Sequence, residues 1–190
     1  FIASEIDELK DYSVPLKFIR LTYRDLTDRV IEVLKQDKSV IVILSTHHRN
    51  GIAAERAAMH HLLAAGCDVP VILHRDYRET DIEALQLKAA VDFGTLLLDG
   101  FGDGIMLHNE GCETMVTDSC MFSILQATRT RISKTEYISC PSCGRTLYDL
   151  QTTIARIKKA TSHLKGLKIG IMGCIVNGPG EMADADYGYV

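Results

Sequence analysis

Ser39–Thr46 reads SVIVILST, an unbroken run of five apolar residues between polar ends. A short β-branched run of this kind predicts a strand, and its lack of alternation predicts one covered on both faces. Upstream, DLTDRVIEVLKQ (25–36) spaces Leu26, Val30, Ile31, Val33 and Leu34 as a helix does. Downstream, NGIAAERAAMHHLLAAG (50–66) is an Ala-rich helix pattern closed by Gly66. Working further outward, KFIRLTY (17–23) and VPVILHR (69–75) read as strands. RETDIEALQLKAAVD (78–92) reads as a helix capped by Thr80 or Asp81, and FGTLLLDG (93–100) as a further strand. Strands and helices that alternate in this way predict an α/β fold with a parallel sheet and right-handed crossovers. The pattern suits an open sheet and an arc of a barrel equally. DGFGDGIMLHNEG (99–111) is Gly-rich and interrupts it, and a helix around CMFSILQATR (120–129) follows.

The chain has 190 residues, 46% hydrophobic and 24% charged, enough for one large domain or two small ones with ordinary cores. No apolar run approaches the roughly 18–20 residues of a membrane span, and the acidic start FIASEIDELKD lacks the layout of a signal peptide. A start without Met and an abrupt end at DYGYV suggest a piece of a longer protein. Charge is uneven. Residues 1–128 carry 12 basic and 20 acidic groups, and residues 129–190 carry 9 and 5. That asymmetry predicts a boundary near residue 128.

The second part opens on YISCPSCGRTLYDLQ (137–151). Its pattern TLYDLQTTIARIKKATSHLKG (146–166) predicts a helix with Thr146 and Asp149 as a capping box, Leu147 and Leu164 on its apolar face and Gly166 as its stop. LKIGIMG (167–173) then reads as a strand delivering Cys174 to the loop GCIVNGPGE. A strand and helix in succession pack together, which returns Cys174 towards Cys140 and Cys143. A thioredoxin-like pair has no use for a third thiol, so three converging cysteines suit a metal or a cluster better. Cys120 and Glu181 are the candidates for a fourth ligand. Gly178, Pro179 and Gly180 allow the loop to fold back and aim Glu181 at Cys174. A carboxylate holds iron less firmly than thiolate does and leaves a position that a substrate can take.

The blocks CPSCGRTLYDLQ and IGIMGCIVNGPGEMADADYGYV, with SKTEYISCPSCGR and ATSHL, resemble the iron–sulfur domain of the 4-hydroxy-3-methylbut-2-en-1-yl diphosphate synthase family. TLLLDGFGDGIML resembles, more weakly, the inserted middle domain of that family's larger three-domain form. The resemblance implies a partial (β/α) insert domain over 1–127 and a C-terminally truncated 4Fe-4S cluster domain over 128–190. It implies cluster ligation by Cys140, Cys143, Cys174 and Glu181, and a substrate contact by Asn177. It also implies an iron–sulfur oxidoreductase of isoprenoid biosynthesis, with ferredoxin or flavodoxin as electron donor. That enzyme converts 2-C-methyl-D-erythritol 2,4-cyclodiphosphate by two-electron reductive ring opening and dehydroxylation. The family's substrate-binding (β/α)8 barrel is missing from this chain, so the chain alone is expected to be inactive. The cluster is expected to be absent or replaced after exposure to air. The expected location is bacterial cytoplasm, or the plastid in a plant.

The rival reading is a structural zinc module built on the three cysteines. Nucleic-acid binding is disfavoured, because the second part has four tyrosines and only a small basic excess. His47 and His48 follow a strand end, where α/β folds often bind ligands. His60 and His61, adjacent on a helix, point about 100° apart and do not share a metal. Arg145, close to Cys143, is placed to steer an anionic substrate or tune a cluster.

Overall fold

The computed structural model describes residues 1–190, which divide into two compact units, Phe1–Thr128 and Arg129–Val190. Both are α/β with parallel sheets.

In the first unit the elements run β1 (Lys17–Leu21), α1 (Asp28–Gln36), β2 (Val40–Leu44), α2 (Gly51–Ala64), β3 (Val71–Tyr77), α3 (Ile82–Leu98), β4 (Gly104–Asn109) and α4 (Thr114–Ala127). A 3-10 segment, Ala3–Asp11, precedes them and buries Ile6 and Leu9. The strands stand in chain order, each parallel to the next, with Leu21 opposite Leu44 and Leu44 opposite Leu73. The sheet is open, and β1 and β4 are its edges. Helices begin where short polar side chains can take the orphan amides. Thr27, Asn50 and Asp81 accept from Val30, Ala53 and Ala84. Gly66 and Gly100 take up the left-handed conformation just beyond α2 and α3.

Three sequence expectations change. The β2 run is not equally covered on both sides: Val40, Val42 and Leu44 are fully buried, while Ile41 and Ile43 are half-buried. Right-handed crossovers between consecutive strands put the helices on one face, so only alternate residues meet them. FGTLLL is not a strand but the last two turns of α3. There Phe93, Leu96 and Leu97 continue the buried stripe of Leu85 and Ala89 at helical spacing. The strand lies instead inside the Gly-rich stretch, as β4.

The second unit contains β5 (Glu136–Ser139), α5 (Leu150–Thr161), β6 (Lys168–Ile171), the single turn α6 (Gly178–Glu181) and β7 (Tyr187–Tyr189). The three strands are parallel in the order β5-β6-β7, with Tyr137 opposite Ile169 and Ile169 opposite Tyr187. Leu150, Ile169 and Ile171 form its small core. Neither β5 nor β7 is legible as a strand from the sequence, because each is only three or four residues long. Asp149 alone caps α5, accepting from Thr152 N at 3.1 Å. Leu147 lies outside the helix and is 94% exposed.

Candidate metal centre

The cysteine-bearing loops leave the same edge of the small sheet. Parallel pairing sets Ser139 opposite Ile171, so the chain emerges at Cys140 from β5 and at Met172 from β6 side by side. The Gly173 backbone N–H donates to Cys140 Sγ at 3.1 Å. That bond carries Cys174, the next residue, into the neighbourhood of Cys140.

Thr146 shapes the first loop rather than capping α5. Its N–H donates to the Cys143 carbonyl at 3.0 Å, and its hydroxyl oxygen accepts from Cys143 N and from the Ser142 hydroxyl, each at 3.3 Å. Ser142 sits at φ 75°, the left-handed cost of so tight a turn. A Cβ on Gly173 would collide with the Thr146 hydroxyl, so the two loops meet only because residue 173 is glycine. Tyr148 closes the joint. Its hydroxyl donates to the Met172 carbonyl, and its ring meets Tyr189 edge to face with centroids 5.8 Å apart.

The second loop turns twice. Gly178 N donates to the Cys174 carbonyl and Glu181 N to the Asn177 carbonyl, both at 3.0 Å. Met182, directly after Glu181, is clamped between two glycines: a Cβ would come within 2.6 Å of it from Gly170 and 2.5 Å from Gly188. A half-buried side chain thus fixes the backbone beside an exposed carboxylate. Asn177 precedes α6, and its exposed side chain makes no capping bond.

Arg145 ties the group together electrostatically. Its backbone N–H and guanidinium pull the exposed Cys143 thiol below the ordinary thiol value. In turn Cys143, followed by Cys174 and Glu181, raises the Arg145 pKa. One cation therefore feels three of the four expected ligands. No three His, Cys, Asp or Glu side chains stand close enough together to hold an ion as the chain stands. The four residues are neighbours on two joined loops rather than a closed shell. As donors they suit an iron–sulfur cluster: three thiols, one carboxylate, and a backbone amide already directed at a sulfur.

Cys120 is in the other unit, buried in α4, where desolvation pushes its thiol up. Burial does the same to Cys67. His60 and His61 pack against the rings of Phe101 and Tyr23. Sequence reasoning read Thr146 as a helix cap and passed over Tyr148 and Met182, the residues that with it hold the loops. The available signal was the glycine at 170, 173 and 188, each where a neighbour presses on the backbone.

Residues 136–190 match the family model described as the GcpE protein C-terminal domain. Over all 190 residues the chain is 84% identical to the 4-hydroxy-3-methylbut-2-en-1-yl diphosphate synthase (flavodoxin) of Parabacteroides distasonis, of which it covers 31%. Over 191 aligned positions it is 56% identical to the protein of the same name from Bacteroides thetaiotaomicron, again covering 31% of it. A rice protein named 4-hydroxy-3-methylbut-2-en-1-yl diphosphate synthase (ferredoxin), chloroplastic, is 49% identical over 140 residues. That match takes in 73% of this chain and 19% of the rice protein. The chain thus spans about 31% of the length of these two bacterial relatives. No helix is long and apolar enough to cross a membrane.

Proposed function

We propose that this chain, which is 84% identical along its whole length to a 4-hydroxy-3-methylbut-2-en-1-yl diphosphate synthase of which it covers 31%, is the cluster-bearing part of such an enzyme. On this reading Arg129–Val190 is the cluster domain and Phe1–Thr128 corresponds to the inserted middle domain of the three-domain form. The activity it serves is the two-electron reductive opening and dehydroxylation of 2-C-methyl-D-erythritol 2,4-cyclodiphosphate. Ferredoxin or flavodoxin supplies the electrons, and a (β/α)8 barrel from elsewhere in the full-length enzyme binds the substrate. The relatives carry the synthase name, and nothing in them favours a zinc module.

The observation that carries the proposal is the Gly173–Cys140 link, which gathers both cysteine loops at one sheet edge. Cys140, Cys143, Cys174 and Glu181 would hold a 4Fe-4S cluster there. When bound, the cluster supplies electrons and one iron of Lewis-acid character at its carboxylate-ligated corner. The chain's own residues have four further tasks. Thr146 and Tyr148 keep the loops in register. Met182 anchors the backbone next to Glu181. Arg145 offers positive charge to an anionic substrate. Asn177, exposed and uncommitted to capping, offers an amide for substrate contact.

The test is anaerobic reconstitution of this chain with iron and sulfide, followed by iron and sulfide counting and Mössbauer spectroscopy. Four irons per chain are expected, and Glu181→Gln should change one iron signal while sparing the others. An unchanged spectrum in Glu181→Gln removes the carboxylate from the ligand set. Failure of the wild-type chain and of the full-length relative alike to bind iron removes the cluster. The chain alone is expected to give no turnover.

A further inference from the structure

The small basic excess of the second unit is concentrated in one place. From Leu150 to Lys168 the chain carries Arg156, Lys158, Lys159, Lys165 and Lys168 and no Asp or Glu. Most of this stretch is α5. Leu150, Ile154, Ile157 and Thr161 recur at helical spacing and turn inward, buried or half-buried. Lys159 stands opposite that stripe, with Arg156 and Lys158 to either side of it, and all three are exposed, as is Lys165.

The carboxylates bordering this stretch are engaged elsewhere. Glu136, opposite Lys168 in the sheet, pairs with Arg129 at 2.9 Å. Asp149 caps α5 through Thr152, and Asp186 accepts from the Lys168 backbone N–H at 2.7 Å. Lys158 and Lys159 stand in the last turn of α5, where cations complement the helix dipole. Arg156, Lys165 and Lys168 lie outside that turn. The helix also covers the strand that leads to Cys140. Tyr137, three residues before Cys140, bonds the Thr161 hydroxyl at 2.8 Å, and Lys158 Nζ lies 5.3 Å from its ring centroid. Tyr137, Cys140, Ile154 and Ile157 pack on the same small core. A molecule seated on the outer face of α5 is therefore separated from the sheet that carries Cys140 by one helix thickness, about 10 Å.

We infer that the outer face of α5 is the docking surface for an acidic electron-carrier protein, a flavodoxin, with Arg156, Lys158, Lys159 and Lys165 supplying the positive charge. The inference rests on the proposed function, which needs a one-electron donor, and the two bacterial relatives bear flavodoxin in their names. Each encounter moves one electron: the flavin is oxidised and the iron site reduced, with no bond made or broken. Such transfer weakens steeply with distance, which favours a surface one layer from a ligand strand. The 12 residues of α5 give a face about 18 Å long. Ala155 and Ala160 are the exposed apolar residues between its charges. A small, charged, weakly apolar surface suits the brief, electrostatically steered encounters of redox pairs. The outer face of α5 carries no aromatic ring on which nucleic-acid bases could stack.

The test titrates the whole chain, isotope-labelled for NMR, with unlabelled oxidised flavodoxin of Parabacteroides distasonis. Saturable shifts centred on the amides of residues 155–165 are expected. Between about 0.01 and 0.15 M salt, as the Debye length falls from about 30 to about 8 Å, affinity should drop about tenfold. Arg156→Glu combined with Lys159→Glu, both at exposed positions, should weaken binding about tenfold at an unchanged melting temperature. After reconstitution, the same pair of substitutions should slow reduction of the iron site by reduced flavodoxin about tenfold and leave reduction by dithionite unchanged. Shifts that never saturate or that centre away from α5, affinity indifferent to salt, or full binding by the charge-reversed variant would each overturn the proposal. Equal slowing of both reductants would do the same. Binding is read without the cluster, so this result and the iron count succeed or fail separately.

Discussion

The amide of Gly173 and the sulfur of Cys140 are hydrogen-bonded across 3.1 Å, although 33 positions separate them in the chain. This bond makes one site of two loops. It exists because β5 and β6 are parallel neighbours in register and because glycine lets their ends approach.

Gly173→Ala should therefore uncouple the loops. The added methyl collides with the Thr146 hydroxyl, an overpacking cost of about 1–3 kcal/mol. We expect a lower melting temperature and, after reconstitution, less than about half the wild-type iron, since loop separation removes ligands together. Thr146→Ser, which keeps the hydroxyl and removes the methyl, should not restore it.

Thiol labelling should sort the six cysteines by exposure. Cys143 is exposed, Cys112, Cys140 and Cys174 are intermediate, and Cys67 and Cys120 are buried. Under native conditions Cys143 should be alkylated first, and Cys67 and Cys120 only on unfolding. Mass spectrometry of a timed alkylation reads the order. Early modification of Cys120 would contradict its place in the core of α4.

The Glu55–Arg75 pair is buried at 1% and 7% exposure, with Asp92 as a further partner 3.2 Å away. Arg75→Met should cost about 3–5 kcal/mol in urea denaturation because it strands a carboxylate in the core. Glu55→Leu combined with Arg75→Met should regain much of that loss. Equal losses in the single and the double variant would mean that packing, not charge, dominates there.

Acid stability should carry the signature of Asp37. Lys17 bonds it at 2.7 Å and, with Ser39, pulls its pKa down from 3.8 to about 2. A depressed carboxylate stabilises the fold above its unfolded pKa and loses that contribution as pH falls from near 4 through 2. Asp37→Asn should therefore lower stability at neutral pH by up to about 2 kcal/mol and flatten the loss between those pH values. A wild-type acid limb that survives the substitution would assign it to other groups.

Much of the first unit is legible in the sequence because its helices are long and its caps are local. Thr27, Asn50 and Asp81 act on amides three positions away, and apolar spacing marks α1 and the buried face of α2. FGTLLL misleads because a fully apolar helix end and a buried strand have the same composition. Only the buried stripe from Leu85 to Leu97 separates them. The residues of the candidate centre are legible for a different reason. Thiols and a carboxylate are scarce donors, and their spacing about glycines and prolines stands out. The supports of that centre, Thr146, Tyr148 and Met182, are ordinary residue types whose role is their position.

Residue chemistry and short-range spacing by themselves determined the α/β class, most of the helices of the first unit and the candidate ligands of the second, since each depends on neighbours within a few positions. Tertiary structure alone decided that Gly173 meets Cys140, that Met182 locks between Gly170 and Gly188, and that Arg75 faces the start of α2. Those contacts depend on strand order and register. Both are set by burial and hydrogen bonding summed over a whole sheet, which no local pattern records.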